Sequence, residues 1–161
     1  MNLEQTLSLQ AAKKAPEGDG EPGPGHKIFN GFFVKVEHPA GSVRTGIAPD
    51  GQTWAVRMAN DYGELPGSIG SDGDPVDAYL GPHNDAKLVH VIHMHDPDGA
   101  YNEDKAMIGF KGQKSAIAAF RKHYAPGVAK IGAITSHTVA GFRKQVRLSK
   151  KAGGKKLHAT Y

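Results

Sequence analysis

Residues 72–77 read Asp-Gly-Asp-Pro-Val-Asp, three carboxylates within six positions. Gly73 and Pro75 break any helix, so this is a loop that can aim several acidic side chains into one small volume. Like charges at that spacing repel strongly where water is scarce, and they stay ionised together only when cations sit between them. Oxygen donors alone suit Mg²⁺, Mn²⁺ or Ca²⁺ rather than zinc. An EF-hand loop fails in detail. Its twelfth position counted from Asp72 is His83, where a bidentate Glu belongs, and no helices flank it. An acidic surface turn is the plain alternative.

A second acidic cluster, Asp96, Asp98, Glu103 and Asp104, sits at the connection after the β-rich run 87–95, with Lys105 directly behind it and Arg44 and Arg57 upstream. If the two clusters converge, they make a carboxylate basin ringed by Arg, Lys and Tyr. That is the chemistry of phosphoryl transfer: metals polarise the phosphate and turn a bridging water into hydroxide, while side-chain cations take up the leaving group's charge. His90, His93 and His95 favour transition metals instead. No carboxylate at suitable spacing completes such a site, so they read as polar residues on a half-exposed strand. Trp54 reads as core.

These groups need elements to hold them. Residues 28–37 end in alternation, with Phe32, Val34 and Val36 on one face, and read as a strand. Val43–Ile47, Gln52–Met58, Lys87–His95 and Lys105–Phe110 are further strands, while 61–77, rich in Gly and Asp, reads as loop. The period then changes. Ile117, Phe120 and Tyr124 repeat at helical spacing, closed by Pro126-Gly127. Val139, Phe142 and Val146 predict a second helix with Thr135 or Ser136 as its cap. Strands followed by helices make the class α+β, a small barrel or curled antiparallel sheet with two C-terminal helices packed against it.

The 161 residues suit one domain, and the absence of Cys excludes a disulfide scaffold, a zinc-thiolate site and a Cys nucleophile. No apolar run approaches the roughly 18 residues of a membrane span, which gives no reason to expect a membrane partner. Residues 1–14 carry their charges in the wrong order for a signal peptide, so the cytoplasm is the default location. Residues 1–25 read as a flexible arm with a Pro/Gly/acidic linker, 26–148 as the globular domain and 149–161 as a basic tail. Charge is divided sharply: all 16 acids lie at or before Asp104, and from Lys105 onward there are 13 Lys or Arg and no acid. The basic tail is either solvated or in contact with nucleic acid or another acidic partner through counterion release. It has no aromatic interleaving beyond His158 and Tyr161, so base stacking is not indicated.

Asp72–Ala78 (DGDPVDA) resembles, at every position of that short motif, the signature loop of the soluble family I inorganic pyrophosphatases. Tyr62-Gly63, ten residues before Asp72, is similar to the family's Tyr-Gly pair. Glu37-His38-Pro39-Ala40 resembles its Glu-x-Pro-Ala segment, followed by a basic residue, here Arg44, and Arg57 suits its next Arg. Glu103-Asp104-Lys105 is similar to its acid-x-Lys strand, with Asp98 five residues earlier, and Tyr124 to its substrate Tyr late in a helix. The resemblance spans roughly Phe29 to Tyr124. Leu80-Gly81-Pro82 and the run 105–110 look most like the compact pyrophosphatase-like domains of bacteriophages and prophages.

The resemblance implies an OB-like barrel and hydrolysis of pyrophosphate to two phosphates with Mg²⁺, or Mn²⁺ as substitute. Asp72, Asp77 and Glu103 would hold the water-activating metals, with Asp98 and Glu37 at the outer ones, and Asp74 would accept the water's proton. Arg44, Arg57, Tyr62, Lys105 and Tyr124 would bind phosphate oxygens. Three positions depart from the pattern: Glu103 replaces an Asp, Met58 a Tyr and Ala125 a Lys. The alternative is a structural head protein that keeps the fold, located in the virion, with further copies or phage proteins as partners.

Overall fold

The computed structural model describes residues 25–125 and 127–151. The expected arm before Gly25, and the tail beyond Lys151, lie outside the described residues. The elements in order are β1 (His26–Phe29), β2 (Phe32–His38), β3 (Val43–Ile47), β4 (Thr53–Arg57), β5 (Asp61–Leu65), β6 (Val76–Leu80), β7 (Leu88–His95), β8 (Tyr101–Ile108), α1 (Gln113–Arg121), β9 (Lys130–Thr138) and α2 (Val139–Lys151). Seven strands form one open, curled sheet in the order β1-β2-β5-β6-β8-β7-β9, and β3 and β4 form a separate ribbon. The α+β class with two helices against a curled sheet is as expected. One pair, β6 with β8, is parallel, so the sheet is mixed rather than wholly antiparallel.

Four elements differ from the sequence reading, one of them β8, which begins at Tyr101 and so puts Glu103 and Asp104 on a strand rather than in the expected connection before Lys105. The single strand expected over 28–37 is a hairpin, because Asn30 and Gly31 both take positive φ (48° and 79°). Asn-Gly is the pair that a two-residue hairpin turn selects. The segment expected as loop over 61–77 holds β5 and the start of β6. Gly63 is the cause of that error. A Cβ there would collide with the Lys35 carbonyl of β2, so this Gly permits close strand approach rather than marking a loop. β9 was not foreseen, and its presence moves the helix cap: Thr138, not Thr135 or Ser136, accepts the Gly141 N–H at 3.0 Å.

Period-2 alternation divides the sheet into two faces. Val76, Ala78 and Leu80 of β6, Val89 and Val91 of β7, and Ala106 and Ile108 of β8 face α2, which buries Phe142 completely among them. Tyr79, Ile92 and Met107 face the other way, against Ala116, Ala119 and Phe120 of α1 and Val56 and Met58 around β4. At the end of α2, the buried Ser149 hydroxyl accepts the Ile69 N–H, tying the helix to the loop before Asp72.

Candidate active site

The second face carries the chemistry. Strand register aligns Lys35 with Glu64, Glu64 with Asp77 and Asp77 with Lys105, so four charged side chains cross β2, β5, β6 and β8 in one row. Lys105 is only 1% exposed. Its three ammonium protons meet three acceptors: Asp77 Oδ2 at 2.7 Å, Glu103 Oε1 at 2.7 Å and Tyr62 Oη at 2.8 Å. The Tyr62 hydroxyl in turn donates to Asp77 Oδ2 at 2.7 Å. Burial opposes the Lys105 charge, but Tyr62, Tyr124, Asp77 and Glu103 outweigh it and hold this ammonium well above the ordinary lysine range. Burial, partly countered by Lys105, keeps the Tyr62 phenol protonated far beyond its usual value.

Asp72, Asp77 and Glu103 line one narrow cleft beside Tyr101. Asp77 and Glu103 touch the same ammonium, which sets their oxygens within two hydrogen-bond lengths of each other. The extra methylene of Glu103 lets it fold back onto Lys105. Asp72 is exposed, and its Oδ1 accepts the Asp74 N–H at 3.0 Å, a local turn that shapes the loop. Asp74 stands exposed on the same turn, outside the cleft lining.

The two arginines part company. Arg44 pairs with Val56 and Arg57 with Val43, so they occupy opposite faces of the β3–β4 ribbon. Arg44 faces the sheet, its guanidinium 4.4 Å from the Tyr62 ring centre and 5.3 Å from that of Trp54. Arg57 is exposed on the far side and donates to the Gly41 carbonyl at 2.7 Å. Tyr124 follows α1, its ring tilted against that of Phe120 with centres 4.7 Å apart and close enough to Lys105 and Arg44 to support both charges. Trp54, expected in the core, is half-buried at its edge. Asp98 is exposed and accepts the Ala100 N–H in the β7–β8 turn, and Glu37 lies half-buried on β2; neither lines the cleft.

Sequence reasoning missed Lys35, Glu64 and Tyr79. Alternation from Asp77 would have found Tyr79, which is wholly buried between Tyr62 and His123. The first two needed β5 to be read as a strand. His90 and His93 are buried, not half-exposed. His93 Nδ1 lies 2.6 Å from Asp104 Oδ1 and its Nε2 2.9 Å from Thr135 Oγ1, on the face opposite Lys105. The carboxylate that His93 lacked by spacing arrives from the neighbouring strand. His123 accepts the Ala59 N–H at Nε2 and donates from Nδ1 to the Ala119 carbonyl, which fixes the neutral tautomer.

The all-oxygen donors of the cleft fit a hard divalent cation. Among the described residues no group of three or more acidic or histidine side chains is already set at metal-holding spacing. Lys105 supplies the positive charge between Asp77 and Glu103.

The sheet thus carries a buried Lys–Tyr–carboxylate centre beside an acidic loop. The family model for inorganic pyrophosphatase matches residues 17–147, and the chain belongs to that family as a pyrophosphatase-like hydrolase. Among solved structures, it is similar to an inorganic pyrophosphatase from Neisseria gonorrhoeae at 19% identity, covering 76% of this chain and 90% of that one with a TM-score of 0.47. It is also similar to one from Coxiella burnetii (18%, 74% and 92%, TM-score 0.42) and one from Helicobacter pylori (16%, 86% and 99%, TM-score 0.44). No curated protein matches it in sequence.

Proposed function

We propose that this protein hydrolyses inorganic pyrophosphate to two phosphates with Mg²⁺, Mn²⁺ serving as substitute, in the cytoplasm. The observation that carries this reading is the Tyr62–Lys105–Asp77–Glu103 cluster opening beside the Asp72 loop. A bound divalent cation supplies charge neutralisation and a water of lowered pKa. Asp72, Asp77 and Glu103 hold it, with Asp98 and Glu37 toward the outer positions. Asp74, on the solvent side of the loop, takes the proton of the attacking water. Arg44, Arg57, Tyr62, Lys105 and Tyr124 bind phosphate oxygens. A cation held by Asp77 and Glu103 would take over the neutralisation of their charge, which would leave the Lys105 ammonium available to phosphate.

The test is phosphate release from pyrophosphate by the purified chain. Release that depends on Mg²⁺, stops with a chelator and is lost in Asp77→Asn is the expected result. A well-folded wild-type protein that releases no phosphate under any divalent cation sinks the reading. The rival, a virion protein with head-protein partners or nucleic acid on its basic tail, draws on no feature of the described residues.

A further inference from the structure

Arg44 and Tyr124 also line a groove of about 370 Å³ between the β3–β4 ribbon and the segment leading into β9. That volume lies within the range of small-molecule sites, about 300–1,000 Å³. Its walls are unlike the carboxylate cleft. Trp54 lines one side, where the absence of a Cβ at Gly46 makes room for its ring. Ile47 and Val128 stand on the rim with 74% and 47% of their surface in water. Gln52, Thr53 and Asn102 add hydrogen-bonding groups. Asp96 also lines the groove and is engaged by the Asn102 amide.

Pyrophosphate is a small polyanion with no apolar surface. It makes no use of exposed Ile47 and Val128 or of an indole. We propose that this site also takes a second substrate, a phosphoanhydride bearing an aromatic group: a nucleoside di- or triphosphate. Its phosphates meet Arg44 and Tyr124 and its base lies against Trp54. This rests on the hydrolase reading above and extends it. Arg44 supplies the complementary charge, since Tyr62, Tyr79, Tyr124 and Asp77 outweigh the cost of its burial. An aromatic ring accepts any base face, while amide and hydroxyl groups address its edge. In the reaction, water adds to the terminal phosphorus and the bond to the bridging oxygen breaks. Phosphate and the shortened nucleotide leave, and Asp74 takes the water's proton.

Trp54 is the only Trp in the chain, so its fluorescence reports directly on the groove. The full-length protein is titrated in Mg²⁺ buffer with the β,γ-imido analogue of ATP and, separately, with imidodiphosphate. Saturable quenching by the nucleotide analogue beyond that by imidodiphosphate is expected. By calorimetry, Trp54→Leu should weaken the nucleotide analogue roughly ten- to a hundredfold relative to imidodiphosphate. Binding of imidodiphosphate but not of the nucleotide overturns the proposal, as does an unchanged affinity ratio in a folded Trp54→Leu protein. A concentration-dependent dimer that Ile47→Glu dissociates would assign the rim to a second copy and also overturn it. Phosphate release from ATP by the Mg²⁺-loaded protein is also expected; nucleotide binding with no such release overturns the substrate proposal, whereas ATP hydrolysis without pyrophosphate hydrolysis would uphold it and remove only the pyrophosphate reading. Failure to bind either analogue would remove both.

Discussion

Two groups of acids carry the same charge and meet different fates. Asp72 and Asp74 sit on an exposed loop, and Asp72 is bonded to its own backbone. Asp77 and Glu103 project from strands, 23% and 24% exposed, and are clamped by one buried ammonium. The loop acids are already solvated, so losing one leaves nothing stranded. The strand acids are partly desolvated, so their charge is tolerable only with a cation between them. Under the proposed function, stability and chemistry are therefore separable in the loop and joined on the strands.

The comparison breaks most visibly at Lys105. Lys105→Met should destabilise the protein by about 3 kcal/mol, the low end for a broken buried ion pair because both carboxylates keep some water, and it should abolish hydrolysis. Urea unfolding without and with Mg²⁺ checks it, with the cation recovering part of the loss. An unfolding midpoint equal to wild type would show that Asp77 and Glu103 do not need the ammonium.

On the loop side, Asp74→Asn should cost about 10²–10⁴ in rate while leaving the melting temperature in place. A melting temperature that falls along with the rate would place Asp74 in the same structural class as Asp77 and erase the distinction.

Tyr62→Phe sharpens the strand half. It removes one of three acceptors on Lys105 and one donor to Asp77 while keeping the ring under Arg44. A loss of about 1–3 kcal/mol is expected for leaving buried partners unsatisfied, measured by the same urea titration. No change would mean that the two carboxylates alone satisfy the ammonium.

The smallest effect is a pH dependence that the Lys105 centre should not share. Burial pushes the His90, His123 and His137 imidazoles below their ordinary value. Below about 6.5 the unfolded chain therefore takes up more protons than the folded one. Stability should be full above that value and decline as the pH falls through the depressed values. Lys105 is raised above the lysine range, so its contribution stays level across this window. Melting temperatures between pH 7.5 and 5 test it. His90→Gln should flatten the decline, because His90 is buried and that burial is the chief cause of its lowered value.

Much of the centre was legible because its signals are local. Asp72, Asp77, Glu103 and Lys105 could be proposed from type and spacing, since a Gly/Pro-broken acidic loop constrains itself within six residues; Tyr62 was implied only by the family resemblance. Both helices were legible from their apolar period. The β1–β2 turn was also written in Asn30-Gly31 and was overlooked beside the alternation that followed.

What remained depended on pairing. Gly63 has the same composition whether it marks a loop or admits a neighbouring backbone, and only β2 packed against it distinguishes the two. Arg44 and Arg57 are equal candidates as a list of bases; the β3–β4 register sends one to the tyrosines and the other to solvent. Asp104 adjoins Lys105 in sequence yet bonds His93 on the opposite face, because neighbours along a strand point apart while partners across strands meet. By itself the sequence determined which groups can hold cations and phosphate, since that is a property of side-chain chemistry. Which of them share a volume was decided by the tertiary structure, because register and sheet order depend on contacts between segments far apart in the chain.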